Sequence, residues 1–128
     1  MTEHRNPPSE AVLALVGAWW TDFGARLEQA VVAWNEGRPV QDRLTFTSQS
    51  WREFSIAHPQ ASSELRLEGT RVRIVDRRAE PTRRNLEADT LVDFHVAAGG
   101  IVAVTRGRTT SIEEAATDLF AALLDRLD

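Results

Sequence analysis

Residues 91–105 read LVDFHVAAGGIVAVT, and this stretch decides the fold class. Val92, Phe94 and Val96 alternate with Leu91, Asp93 and His95. Gly99-Gly100 turns the chain, and Val102 and Val104 then alternate with Ile101, Ala103 and Thr105. Side chains of period two stand on opposite faces of a strand, so the pattern predicts a hairpin. Its expected core face holds Val92, Phe94, Val96, Val102 and Val104. Toward the C-terminus the period changes. Ser111-Ile112-Glu113-Glu114 places a hydroxyl three residues before a carboxylate, a capping box, and Ile112, Ala115, Ala116, Leu119, Phe120, Leu123, Leu124 and Leu127 follow at helical spacing.

Toward the N-terminus the alternation continues. Leu65 and Leu67, a turn at 68–70, then Val72 and Ile74 predict a second hairpin, and Leu44-Phe46 with Phe54-Ile56-His58 predict two strands joined at 48–50. Residues 76–89 are polar, contain Pro81 and read as a loop. Ahead of the strands, Pro7-Pro8-Ser9 opens a long helix that Asn35-Glu36-Gly37 and Pro39 close. Its stripe runs Val12, Val16, Trp19, Phe23, Leu27, Ala30, Trp34, and Gly17 and Gly24 would permit close backbone approach. The expected architecture is an α+β two-layer sandwich: an antiparallel meander sheet of about five strands with the N- and C-terminal helices packed on one face. A tail at 1–8 would precede a single domain at 9–128. The element order is similar to that of frataxins and of acidic secretion chaperones. The first helix has too few carboxylates for a frataxin-like acidic ridge, and 76–89 lacks the apolar stripe of a chaperone's middle helix, so no residue roles carry over.

Composition narrows the chemistry. The 128 residues are 42% hydrophobic and 27% charged with a net charge of −4, ordinary values for one globular domain. With no cysteine there is no disulfide, thiolate metal site, thiol nucleophile or redox switch. The longest apolar run, 11–20, is half of what a membrane span requires, and 1–9 has no basic-then-apolar leader pattern, so a cytoplasmic chain without membrane contact is expected. All 15 basic residues are arginine. Arginine suits bidentate recognition of carboxylates and phosphates, but a GC-rich bacterial coding sequence would give the same bias over the whole surface.

Two helices on one sheet face leave the other bare. The sequence places Arg66, Arg71, Arg73, Val75, Leu91, Asp93, His95, Ile101, Ala103 and Thr105 on that bare face. Arg71, Arg73, Arg77, Arg78, Arg83 and Arg84 set six arginines against Asp76 and Glu80, a cationic stretch fit for an acidic protein partner. Nucleic-acid contact through Arg71 to Arg84 is the weaker reading, because the chain has a pI near 5.4 and the stretch has no aromatic for base stacking. Asp93 and His95 share a strand face and could form an acid–base or metal pair. A third ligand is lacking, since His4 falls in the tail and His58 on another strand, so no metal or cofactor is expected. Neighbouring Trp19 and Trp20 lie about 100° apart on a helix and cannot both face the core centre, which nominates Trp20 as a partner-facing anchor.

No nucleophile elbow, phosphate loop, dinucleotide fingerprint or zinc-protease motif is present, so an enzyme is not indicated. The leading expectation is a non-enzymatic protein-interaction module, an adaptor, immunity-type inhibitor or chaperone. It would bind through the bare sheet face and the arginine loop with Arg71, Arg73, Arg77, Arg78, Arg83, Arg84, His95, Ile101 and Trp20. A two-fold dimer through that face is compatible with it. The alternative is a small-ligand or enzymatic pocket between helices and sheet, with Trp19 or Trp34 lining it and Asp93 or His95 near its mouth.

Overall fold

Ser9 caps the first helix, its side chain accepting from the Val12 N–H at 3.2 Å. In the computed structural model, which describes residues 9–78, 89–98, 100–125 and 127 (Arg77 and Arg78 by backbone alone), helix α1 spans Glu10–Asn35. A 3-10 turn follows at Val40–Asp42. Seven strands come next: β1 Thr45–Ser50, β2 Glu53–His58, β3 Ala61–Glu68, β4 Arg71–Arg78, β5 Asp89–Ala97, β6 Gly100–Thr105 and β7 Arg108–Thr110. Helix α2, Ile112–Asp125, closes the order, with Ser111 Oγ accepting from the Glu114 N–H at 3.0 Å. Each strand pairs antiparallel with its sequence neighbours, in the order β1 to β7. The α+β meander with both helices packed against the sheet is as expected. The strand count is seven, not five.

Two of the differences have plain causes. The polar Arg108–Thr110 has no apolar alternation to announce it; Arg106 and Gly107 both take positive φ, the backbone of a tight two-residue hairpin, and the turn makes the strand. Polar Asp76, Arg77 and Arg78, expected in a loop, continue β4 by pairing with Ser63, Ser62 and Ala61. The expected tail at 1–8 and the rest of the expected loop, 79–88, lie outside the described residues.

The core lies between the sheet and the helices. Val16, Trp20, Phe23, Leu27 and Val31 line the buried side of α1, against Ile56, Leu65, Val72, Val92 and Phe94 from the sheet and Ala115, Leu119 and Leu123 from α2. Val16, Phe23 and Leu27 of the expected stripe are buried, while at two turns the neighbouring Trp20 and Val31 take the inner place from Trp19 and Ala30. Trp20 is fully buried and Trp19 sits at the margin, which overturns Trp20 as a surface anchor. Trp20 stacks on Phe54, with ring centroids 4.4 Å apart and planes 9° apart, while Trp19 packs on Phe23 and edge-on to Phe94. A buried indole carries an N–H that needs a partner, and Trp20 Nε1 donates to the Trp51 carbonyl at 2.6 Å. Gly24 is where the helix meets the sheet most closely: a Cβ there would fall on the Phe54 ring. A Cβ on Gly17 would meet nothing within 4 Å, so that glycine serves no close approach.

Strand β6 faces the opposite way from the sequence reading. Its apolar run, Ile-Val-Ala-Val, fits either face, so the turn decides the register: Ala97 pairs with Gly100, which sets Val96 opposite Ile101 and Phe94 opposite Ala103. Ile101 and Ala103 thus pack into the core and leave the list of bare-face residues, as does Thr105, which follows in the same alternation. Val102 and Val104 take their places. Leu91 also packs on the core, at a bulge where the β4–β5 register jumps between Val72 and Arg73.

Candidate functional site

Strand alternation and register together define the face that no helix or strand of the described residues covers. Along one cross-strand row stand Glu53, Arg66, Arg73 and Thr90; along the next, Glu68, Arg71, Asp93, Val104 and Thr109; His95 lies opposite Val102. Of the expected site residues, the structure brings Arg71, Arg73 and His95 together here, with Arg66, Val75 and Asp93 beside them. The backbone of Arg77 lies in β4 opposite Ser62, and its side chain is outside the described residues. Arg83 and Arg84 lie outside the described residues, as does the side chain of Arg78. Ile101 and Trp20 belong to the other side of the sheet.

The face is a mosaic of both charges. Among the described side chains, Arg66, Arg71 and Arg73 are interleaved with Glu53, Glu64, Glu68 and Asp93. Arg66 Nη2 lies 3.0 Å from Glu53 Oε1, Arg71 Nε 3.7 Å from Asp93 Oδ1, and Arg73 Nη1 donates to Thr90 Oγ1 at 3.2 Å. These contacts are solvent-exposed, so each fixes little energy while holding the guanidinium groups in a pattern. Half-buried Val75, Val102 and Val104 give the mosaic apolar spots. A recess of about 330 Å³ opens among Gln49, Glu53, Glu64, Arg66, Glu68 and Arg73.

Between Gln49 and Glu53 in the chain, the β1–β2 turn carries Trp51, 62% exposed, with the Arg52 guanidinium 4.6 Å from its ring centre. The backbone beneath it is fixed by Trp20 Nε1 and by the Leu67 N–H donating to the Arg52 carbonyl at 2.9 Å. An exposed indole on an anchored turn is the preorganised aromatic that interfaces use. The sequence reading sets the joint between these strands at 48–50, whereas the turn lies at Trp51-Arg52. The place of Trp51 in a polar turn between two strands was the available signal.

The histidines divide. His95 Nε2 is 3.8 Å from Asp93 Oδ2, beyond hydrogen-bond distance, and its side chain is 61% exposed. No cluster of three or more metal-ligating side chains occurs among the described residues. His58 is almost fully buried, with Nε2 2.9 Å from Asp42 Oδ1 and Nδ1 accepting from the Gln60 N–H at 3.1 Å. That backbone donor makes Nδ1 an acceptor, so Nε2 carries the proton and donates it to the carboxylate. The hydrogen bond from His58, reinforced by Arg38, holds the Asp42 carboxyl below the usual aspartate range. Arg38 in turn lies over the Trp34 ring at 3.6 Å and donates through Nε to the Trp34 carbonyl. With both ring nitrogens engaged, His58 ties the 3-10 turn to the end of β2. In this arrangement it offers no free base to a substrate.

Trp19 and Trp34 stand on the helix side of the sheet, whereas Asp93 and His95 stand on the open side. The four therefore line no common pocket. On the helix side, a groove of about 520 Å³ runs between α1 and α2 over Ala30, Ala116, Phe120 and Leu124. No helix among the described residues is long and apolar enough to cross a membrane. Comparisons of the chain with protein-family models, curated proteins and solved structures found no match.

Proposed function

We propose that the chain is a non-enzymatic protein-interaction module that binds through the open face of its sheet. The observation that carries this reading is the uncovered face itself, where three arginines, four carboxylates and half-buried valines are fixed in cross-strand rows beside an anchored, exposed Trp51. Specific interfaces use such a composition: Trp and Arg as anchors, charges of both signs to set register, modest apolar area. The mosaic favours a partner with its own alternating charges over a polyanion, because a phosphate backbone laid on this face would meet Glu53, Glu64, Glu68 and Asp93 as well as the arginines. Roles as adaptor, immunity-type inhibitor or chaperone all fit such a surface.

The test compares capture of a partner from the native lysate by the wild-type chain, by Arg73→Glu and by Arg26→Glu, a helix-side control. Arg73→Glu is expected to lose the captured protein while Arg26→Glu keeps it. Both variants should unfold within about 3 °C of wild type, as surface substitutions do. Equal capture by all three would refute the open face as the binding surface.

A further inference from the structure

The sheet has two edges, and they differ. β7 is three residues long, begins at Arg108 and is held by a tight turn, features that blunt an edge against pairing with other strands. β1, Thr45-Phe46-Thr47-Ser48-Gln49-Ser50, has no charge and no proline, and all of its side chains but Phe46 are exposed. A bulge between Ser48 and Ser50 bends its far end and leaves Thr45 to Ser48 in regular register with β2. Among the described residues, the edge thus presents a run of backbone groups with no strand beside it and none of the usual charged guards.

We propose that a second copy of this chain pairs with β1, antiparallel and edge to edge about a two-fold axis at Thr47, joining the two seven-stranded sheets into one. Three arguments select this occupant. A two-fold pairing uses both β1 edges and leaves only the blunted β7 edges outward, so the assembly closes at two copies and needs no other chain to cover the edge. Antiparallel pairing sets residues of one face opposite each other, and an axis at Thr47 puts Phe46 opposite Ser48 of the copy and Thr47 opposite itself, a favourable Thr–Thr pair with no like charges in contact. Phe46 also gains a partner. It is half-buried on the helix side, 5.5 Å from the Phe54 ring, and its open flank would meet Phe46 of the copy on the cross-strand diagonal.

The absence of native cysteine makes the test clean. Directly opposed residues in an antiparallel pair have Cα atoms about 4.5–5.5 Å apart, within disulfide reach. Thr47→Cys is expected to cross-link to completion under mild oxidation, while Thr109→Cys, equally exposed on β7, stays single. Light scattering on the wild-type chain should give twice the 14.3 kDa chain mass, and Thr47→Lys, which sets two like charges on the axis, should return it to the monomer with helix content unchanged. A wild-type monomer at all concentrations, equal cross-linking by the two cysteine variants, or a dimer that survives Thr47→Lys would each overturn the proposal. These readouts are taken on the purified chain with no partner protein present, so their failure leaves the open-face reading standing.

Discussion

The two faces of the sheet are made from the same strands by the same alternation, yet they hold their polar groups differently. On the helix side each is tied to a specific partner in or beside the core: Trp20 to the Trp51 carbonyl at 2.6 Å, Ser63 Oγ to Asp76 at 2.8 Å, His58 to Asp42 at 2.9 Å. On the open side the arginine–carboxylate pairs lie at 3.0 and 3.7 Å with partly exposed side chains. A polar group stranded in the core costs its full desolvation, so the covered face is where loss of a partner is expensive. On the open face water replaces a lost partner, and the pattern of charge serves recognition more than stability.

Substitution can break this contrast most directly at Trp20. Trp20→Ala empties the stack on Phe54 and strands the Trp51 carbonyl, and is expected to cost about 3–5 kcal/mol in chemical denaturation. Should it cost no more than a surface change, the covered face would not be the energetic one. Next come the glycines, with opposite signs. Gly24→Ala drives a methyl onto the Phe54 ring and should destabilise by about 1–3 kcal/mol. Gly17→Ala meets open space and should stabilise by up to about 1 kcal/mol through helix propensity.

Acid titration sharpens the comparison further. Because the His58 hydrogen bond depresses the folded-state ionisation of Asp42, its contribution is fully present above the ordinary aspartate value of about 3.9 and is lost as pH falls through the lower folded value. Thermal midpoints measured downward from pH 5 should drop less steeply for Asp42→Asn than for wild type. The smallest effect is expected on the open face. Arg66→Ala removes the 3.0 Å pair with Glu53 and should change stability by less than about 0.5 kcal/mol, read as an unchanged denaturation midpoint.

Much of this architecture is legible wherever one period dominates. The α2 stripe and its Ser111 cap, the Ser9 start of α1 and the hairpin at Gly69 follow from local spacing and turn chemistry. Legibility fails where a local pattern is degenerate. Ile101 to Val104 are apolar at every position, so only the pairing of Ala97 with Gly100 selects the buried face. Trp19 and Trp20 are equally apolar, and the choice between them is made by Phe54, 34 residues from Trp20 in the chain. Asp42 and His58 meet across a 3-10 turn and a strand end, a contact with no spacing signal of its own. For the candidate site, Arg71, Arg73 and His95 are on the expected face because β4, and β5 beyond its bulge at Leu91, keep their alternation. What the sequence does not convey is how the carboxylates of β2, β3 and β5 fall between those arginines, since that depends on register.

The strict β1-to-β7 order also bears on how the chain reaches this structure. Every strand pairing joins sequence neighbours, so the sheet can zip from hairpin to hairpin without closing a long loop. α1 is different: its backbone comes close to β1, β6 and α2, spanning nearly the whole chain. The helix that supplies Trp20, and with it the clasp on the Trp51 turn, therefore closes a loop of nearly the whole chain when it meets α2. In kinetic terms the open face can be laid out before the core that supports it is locked.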